Sequence, residues 1–319
     1  PGKTIRGVLR EAFDEMFQME KQMMEMYEEM CDCSEDRMNE LLEEVGEIQS
    51  MLDSCGFYEL DSKIEEVANK EALENQVKNY FKSYKADRAN KFIVYFQNFS
   101  NTYDSIENLK KKYDSALIDD RIIGLAVATR PDCINEDIAK LLNSYSSKYY
   151  VSVELGLQTS NNQTAKLINR GYDSDLFSKA VNLLRKYNID VITHIMIGLP
   201  TETKEDLINT INFINQHDIQ GVKIHSTYVI KGTKLAKMYE NKDYTPLSLK
   251  EYIDLACFIL SNLRPDFIIH RISGDAPKDL LLAPEWNLHK KWIMNGIEKR
   301  LIEDNLWQGK KYTQTLFKL

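Results

Sequence analysis

The stretch "VELGLQTSNNQTAKLINRG", residues 153–171, opens with a short apolar run, turns at polar residues and restarts with helical spacing. A buried strand handing over to a helix in this way is half of a βα unit. The same texture recurs on both sides. Apolar runs "KFIVYFQNF" (91–99), "RIIGLAVATR" (121–130), "YYVSVELGL" (149–157), "DVITHIMIGL" (190–199) and "GVKIHSTYVI" (221–230) alternate with helical patterns at 135–147, 174–187 and 203–217. Near-continuous apolar strands alternating with amphipathic helices predict a parallel α/β sheet covered on both faces. No G-x-G-x-x-G follows any of these strands, so a barrel or partial (β/α) barrel is favoured over an open dinucleotide-binding sheet.

In a barrel the site lies at the carboxyl ends of the strands. Those ends carry Gln97-Asn98, Thr129-Arg130-Pro131, Glu154 through Thr159, Gly198-Leu199-Pro200 with Glu202, and Lys231-Gly232. His194 and His225 fall inside strands and are expected to face the lumen. "RISGDAPKDLLLAPEW" (271–286) adds Arg271, Asp275, Lys278 and Asp279. Neither a Ser-His-Asp order nor H-E-x-x-H is present.

The first seventy residues differ in character. They hold 19 Asp+Glu against 7 Lys+Arg, a net of −12, whereas the remainder holds 30 against 34, a net of +4. Eight of the 11 methionines also lie there. Apolar residues at Leu9, Phe13, Met16, Met23, Tyr27 and Met30 have helical spacing. After "CDCSED", with Ser34 as N-cap, a second series follows at Met38, Leu41, Leu42, Val45, Ile48 and Leu52. The expectation is an acidic helical hairpin over residues 1–69 and an α/β domain over 70–319. The longest apolar runs are far shorter than a membrane span, and the five cysteines show no disulfide-framework spacing. A cytoplasmic location is expected. Pro1 in place of an initiator Met suggests a fragment or a processed chain. The net charge of −8 and the lack of a basic stripe give little support to nucleic-acid binding.

The stretches "KFIVYFQNFSNTY", "IGLAVATRPDC", "VELGLQT", "LINRG", "HIMIGLPTET", "VKIHSTYVIKGT" and "HRISGDAPKDLLLAPEW" together carry a resemblance. Residues 71–315 resemble a radical S-adenosylmethionine (SAM) protein of the bacterial family of unassigned substrate, with a core of the elongator catalytic-subunit/MiaB/NifB type. The resemblance implies S-adenosylmethionine as cofactor, contacted by Gln158 and Arg170, with Gly156 leaving room for close approach. It implies that Gly198 and Pro200 pack near the adenine and that Gln97 and Asn98 replace a Gly-rich strand end at the methionyl amine. His194 stands where several relatives carry an Asp to the ribose, and Glu154 completes the set. A tRNA substrate is implied only by analogy.

The family also implies a [4Fe–4S] cluster held by a C-x3-C-x2-C loop after the first strand, which should lie just before residue 71. That loop is absent from this sequence. Cys31 and Cys33 are two residues apart, Cys55 is 22 further on, and Cys133 and Cys257 are distant. The expectation is therefore a partial barrel lacking its first strand, prone to association, with no metal ligands and no reductive chemistry. Residues 3–68, including "LREAFDEMF" and "LLEEVGEIQSMLDSCGFYELDSKIEEV", resemble the helical segment of ABC-F ATPases. This implies a chimera with a junction near Asn69-Lys70. With no G-x-x-x-x-G-K-[ST], ATP hydrolysis is excluded. The hairpin is then an interaction element for a protein or ribosomal partner. The function read from the sequence is a radical SAM-like protein, inactive as this chain. The alternatives are a non-catalytic SAM-binding module and an interaction protein acting through the hairpin.

Overall fold

The computed structural model describes residues 14–30, 35–54, 73–84, 86–98, 100–274 and 276–313. By their contacts the residues group into two units. One comprises residues 1–90 with 107–119, and the other comprises 91–106 with 120–319. Ser34, the three cysteines Cys31, Cys33 and Cys55, and the junction at Asn69-Lys70 all lie outside the described residues.

In the first unit, α1 (Asp14–Met30) and α2 (Glu35–Ser54) form the expected helical pair. Their seam is built from Met23, Val45 and Leu52, with Met16, Met19, Met26, Met30 and Ile48 packed around them. Methionine suits such a seam because its unbranched side chain fills irregular gaps. Arg37 joins the two helices, donating from Nε to Glu29 Oε1 at 3.0 Å. The outer face keeps Leu42 and Met51 exposed. The unit also contains α3 (Ile106–Ala116) apart from its first residue.

The second unit is built on a six-stranded parallel sheet. Its strands are β1 (Phe92–Phe96), β2 (Ile122–Thr129), β3 (Tyr150–Gln158), β4 (Asp190–Ile197), β5 (Gly221–Ser226) and β7 (Ile268–Arg271), in that spatial order. The sheet is curled into a partial (β/α) barrel. Between the strands run α4 (Glu136–Tyr145), the short α5 (Asn162–Leu167), α6 (Ser174–Lys186), α7 (Lys204–Asn215) and, after β5, α8 (Lys234–Glu240) and α9 (Leu249–Asn262). A two-stranded antiparallel ribbon pairs β6 (Val229–Ile230) with β8 (Leu281–Ala283), and α10 (Lys290–Glu303) follows. The five apolar runs of the sequence correspond to β1 through β5. Among the described residues β1 has a strand neighbour on one side only, in keeping with a barrel short of its first strand.

Local signals explain the helix starts. Asn135 caps α4, Asp173 caps α6, and Thr203-Asp206 and Ser248-Glu251 form capping boxes on α7 and α9. Period-two alternation then sorts each strand. Val151, Val153, Leu155 and Leu157 of β3 are buried with Phe177 and Leu184 of α6 and Ile214 of α7 in the apolar core. Ser152, Glu154, Gly156 and Gln158 alternate with them. Parallel register sets Glu154 beside Ala128 and Ile192, and Gly156 beside His194, which in turn pairs with Lys223. The polar residues of four strands therefore meet on one face, the lumen. No described helix is long and apolar enough to cross a membrane.

Leu155 is fully buried at the centre of β3. Leu155→Ala should lower the unfolding free energy by about 2–5 kcal/mol, read as a shift of the urea midpoint at unchanged slope.

Candidate functional site

The lumen is organised by one carboxylate. Glu154 is 5% exposed. Its Oε2 accepts from Tyr95 OH at 2.6 Å and from His194 Nε2 at 2.7 Å. Lys223 Nζ reaches both oxygens at 2.6 Å. Four strands, β1, β3, β4 and β5, are thus tied to a single side chain. An ionised carboxylate only accepts, so His194 must carry its proton on Nε2. Burial by itself would raise the Glu154 pKa. The bonds from His194, Lys223 and Tyr95 outweigh burial and hold it down at about 2. Lys223 Nζ also lies 4.5 Å above the Tyr95 ring, a cation–π contact that helps fix the phenol. His225 stacks on His194 with ring centroids 5.0 Å apart. Burial, followed by the charges of His194, Arg271 and Lys223, pushes His225 down to about 3, so its imidazole is neutral near pH 7.

The opening stretch forms the rim above this network. The pairing of β3 to β4 slips between Gly156 and Gln158, and Gln158 adopts φ +58°. A non-glycine residue in the left-handed region is strained, by about 1 kcal/mol, and is held there only by its surroundings. Those surroundings are concrete. Arg170 donates from Nη1 to the carbonyls of Leu157 at 2.7 Å and Thr159 at 2.6 Å, and from Nε to that of Tyr172 at 2.8 Å. Its Nη2 donates to Asn162 Oδ1 at 3.2 Å. Tyr172 OH donates to the Gly156 carbonyl at 2.7 Å. A Cβ on Gly156 would sit 2.6 Å from Gln158 Nε2, so glycine is required there for the amide to fold back. With its backbone fixed, Gln158 leaves Oε1 buried and without a partner.

At the end of β4 the chain turns through Gly198 at φ +81°, whose carbonyl accepts from Tyr244 OH at 2.7 Å. Leu199 and Pro200 follow, and burial pushes Glu202 up to about 7 against the hydroxyls of Thr159 and Thr164.

Two adjoining cavities result. The polar lumen cavity, about 300 Å³, is lined by Tyr95, Gln97, Glu154, His194, Lys223 and His225 among others. The second, about 500 Å³, is more apolar, with Met196, Leu199, Pro200, Leu235 and Met238 in its wall. Arg130, Gln158 and Tyr172 line both. Of the candidates read from the sequence, Gln97, Glu154, Gly156, Gln158 and His194 converge on the lumen cavity, and Gln158, Arg170 and Pro200 on its neighbour. Asn98 is exposed beside them, its carbonyl accepting from Asn101 Nδ2 at 2.9 Å, and Gly198 shapes the turn beneath Leu199. The sequence reading passed over Tyr95, Lys223 and Tyr172. A lysine two residues before a histidine in the apolar run "GVKIHS" was the available signal, because period two puts both on one face.

Comparison with known families fits this geometry. The radical SAM superfamily model matches residues 54–214, and the radical SAM C-terminal domain matches residues 219–303. The chain belongs to the radical SAM superfamily. "Uncharacterized protein YtqA" of Bacillus subtilis is 40% identical over 220 residues, 69% of this chain and 68% of that protein. The solved structure of archaeal Methanocaldococcus infernus Elp3 with an N-terminal deletion superposes with a TM-score of 0.63 at 22% identity, over 74% of this chain and 60% of that one. A separate 67-residue match at 49% identity, 21% of this chain, is to "Uncharacterized ABC transporter ATP-binding protein YfmM" of Bacillus subtilis, of which it covers 13%.

The family's two cofactors fare differently against these residues. An adenosyl group fits the cavity of about 500 Å³, with its apolar wall and the partnerless Gln158 Oε1 and Thr227 Oγ1 beside it. A [4Fe–4S] cluster does not fit the described residues, since it needs thiolates converging on one point. Cys257 is buried among helices, its thiol donating to the Ile297 carbonyl, and Cys133 stands alone after β2. Among the described residues no three His, Cys, Asp or Glu side chains are grouped to hold a metal ion.

The Glu154 network gives the barrel a pH signature. Its folded pKa of about 2 lies below the ordinary 4.5, so its contribution is full above pH 4.5 and is lost as pH falls toward 2. Glu154→Gln should remove that acid-limb slope, on the order of 3 kcal/mol, in urea titrations run between pH 5 and pH 2.5.

Proposed function

We propose that this chain is a radical SAM-type barrel that binds S-adenosylmethionine at its strand ends without cleaving it reductively. The observation carrying this reading is Gln158. Its strained backbone, its glycine-dependent side chain and its buried, partnerless Oε1 on the wall of both cavities are the marks of a residue held ready for a ligand. The superfamily membership supports S-adenosylmethionine as that ligand. The amide would accept from a ribose hydroxyl, while Leu199, Pro200 and Met196 would cover the adenine. Arg170 would act by bracing the β3–α5 turn, and its nearness to the same cavity allows a contact with the cofactor carboxylate. When bound to an intact cluster, S-adenosylmethionine supplies a deoxyadenosyl radical in this superfamily. Here the C-x3-C-x2-C loop is absent from the sequence, and no step is assigned to that chemistry.

Calorimetric titration of the full chain should detect S-adenosylmethionine binding. Gln158→Asn, which tolerates the left-handed backbone, should weaken it on the order of tenfold. Anaerobic reconstitution with iron and sulfide should leave the dithionite-reduced protein without a [4Fe–4S] resonance. A resonance that shifts on adding S-adenosylmethionine would overturn the non-cleaving reading.

The match to YfmM favours a second role for the amino-terminal hairpin. Its 67 residues agree in length with the stretch that resembles an ABC-F segment, and support a chimera joined near Asn69-Lys70. In this reading α1 and α2 dock on a partner through the exposed Leu42 and Met51. Leu42→Lys combined with Met51→Lys should abolish co-sedimentation of the full chain with ribosomes. Co-sedimentation unchanged in the double variant would exclude this face.

A further inference from the structure

We propose that Glu202 is a proton-operated lock between two turns, β3–α5 and β4–α7. As a neutral acid it seals one turn against the other, and on losing its proton it loosens both. The two turns supply Gln158, Leu199 and Pro200 to the wall of the larger cavity. Each holds a residue in the left-handed region: Gln158 in the first, and Thr201 at φ +67° in the second, three residues after Gly198 at φ +81°. A β-branched residue rarely adopts that conformation, so the β4–α7 turn is strained and depends on its neighbours to persist. What it presents to the β3–α5 turn is Glu202. The half-buried side chain lies against the hydroxyls of Thr159 and Thr164, both buried, and its Oε1 is buried with no partner in the protein. Thr159 directly follows Gln158, and its carbonyl is the one that accepts from Arg170 Nη1 at 2.6 Å. An ionised carboxylate needs donors on both oxygens, whereas a neutral acid has a proton of its own to give. With one oxygen orphaned, the closed arrangement suits the acid and not its anion.

The surrounding charges do not rescue the anion. Burial first, and then the carboxylate of Asp206 on α7, push Glu202 up to about 7 despite bonds from Thr159 and Thr164. Asp206 itself stays ionised, because the backbone and hydroxyl of Thr203 and the amide of Asn161 donate to it. Arg170, across Thr159, gives its donors to three carbonyls and Asn162. Lys204 lies 4.9 Å over the Phe258 ring, and Glu205 is exposed. No cation pairs with Glu202 among the described residues. The closed state can be read at two amides: Ser160 N donates to Thr210 Oγ1 at 3.0 Å, and Glu202 N donates to the Leu199 carbonyl at 3.3 Å. An acid whose pKa is about 7 when closed and the ordinary 4.5 when open favours closure at low pH. Opening therefore grows as pH rises above 4.5 and levels off above about 7. Between pH 6 and pH 8 the opening constant should rise about tenfold.

The test is residue-resolved hydrogen exchange of the full chain between pH 6 and pH 8, corrected for intrinsic rates. Protection of the Ser160 and Glu202 amides should fall about tenfold in the wild type. The midpoint should coincide with that of the Glu202 carboxyl resonance in carbon-13 spectra. Glu202→Gln is neutral at every pH and should hold both amides at constant protection. An acid with a merely structural role would titrate without moving them. The proposal is overturned if protection is unchanged across this range, or if it falls equally in Glu202→Gln. Separate midpoints for the carboxyl and the amides in the wild type would also overturn it, and that comparison needs no variant to fold. One consequence rests on the S-adenosylmethionine reading: affinity should fall over the same pH range in the wild type and stay level in Glu202→Gln. Absence of S-adenosylmethionine binding at every pH would sink that reading and leave the lock standing on its amides.

Discussion

A carboxylate buried at the centre of a parallel sheet has to be surrounded by donors, and that requirement governs the lumen of this barrel. Glu154 could not remain ionised at 5% exposure without Tyr95, His194 and Lys223. Each donor comes from a different strand, so the network fixes the stagger of β1, β4 and β5 around β3. Ordinary register supplies the rest. A slip of one residue in β4 would turn His194 toward the helices and set an apolar neighbour against the carboxylate.

Above the network the β3–α5 turn performs a separate task. Arg170 donates to three backbone carbonyls around the turn, and the turn can then hold Gln158 in a backbone conformation that residues other than glycine rarely adopt. The strain is local and its consequence is chemical. The amide folds back over Gly156, and its Oε1 is left buried and without a partner in the protein.

The parallel strands and their helices were legible because their signals are local and repeated. Apolar runs and helical spacing can be read without knowing what lies across the sheet, and the caps the structure adds at Asn135, Asp173 and Thr203-Asp206 are equally local. The strand ends at Gln97, Glu154 through Gln158 and Gly198 were readable for the same reason. Tyr95 and Lys223 were not, because what makes them part of the site is register: 59 and 69 residues separate them from Glu154. Arg170 was seen as a ligand contact from resemblance, whereas its bonds within the turn emerge only once the left-handed residue is known. The ribbon of β6 and β8 escaped notice because strands of two and three residues carry no periodicity.

The bond between Glu154 and Lys223 also limits how this chain can change over time. Removing one partner of a buried pair leaves a stranded charge costing about 3–5 kcal/mol, a large share of the 5–15 kcal/mol that holds a typical domain together. Replacing both at once is far cheaper. Descendants of this sequence are therefore expected to keep the two residues or to exchange them in tandem, with the single replacements as sparsely visited intermediates.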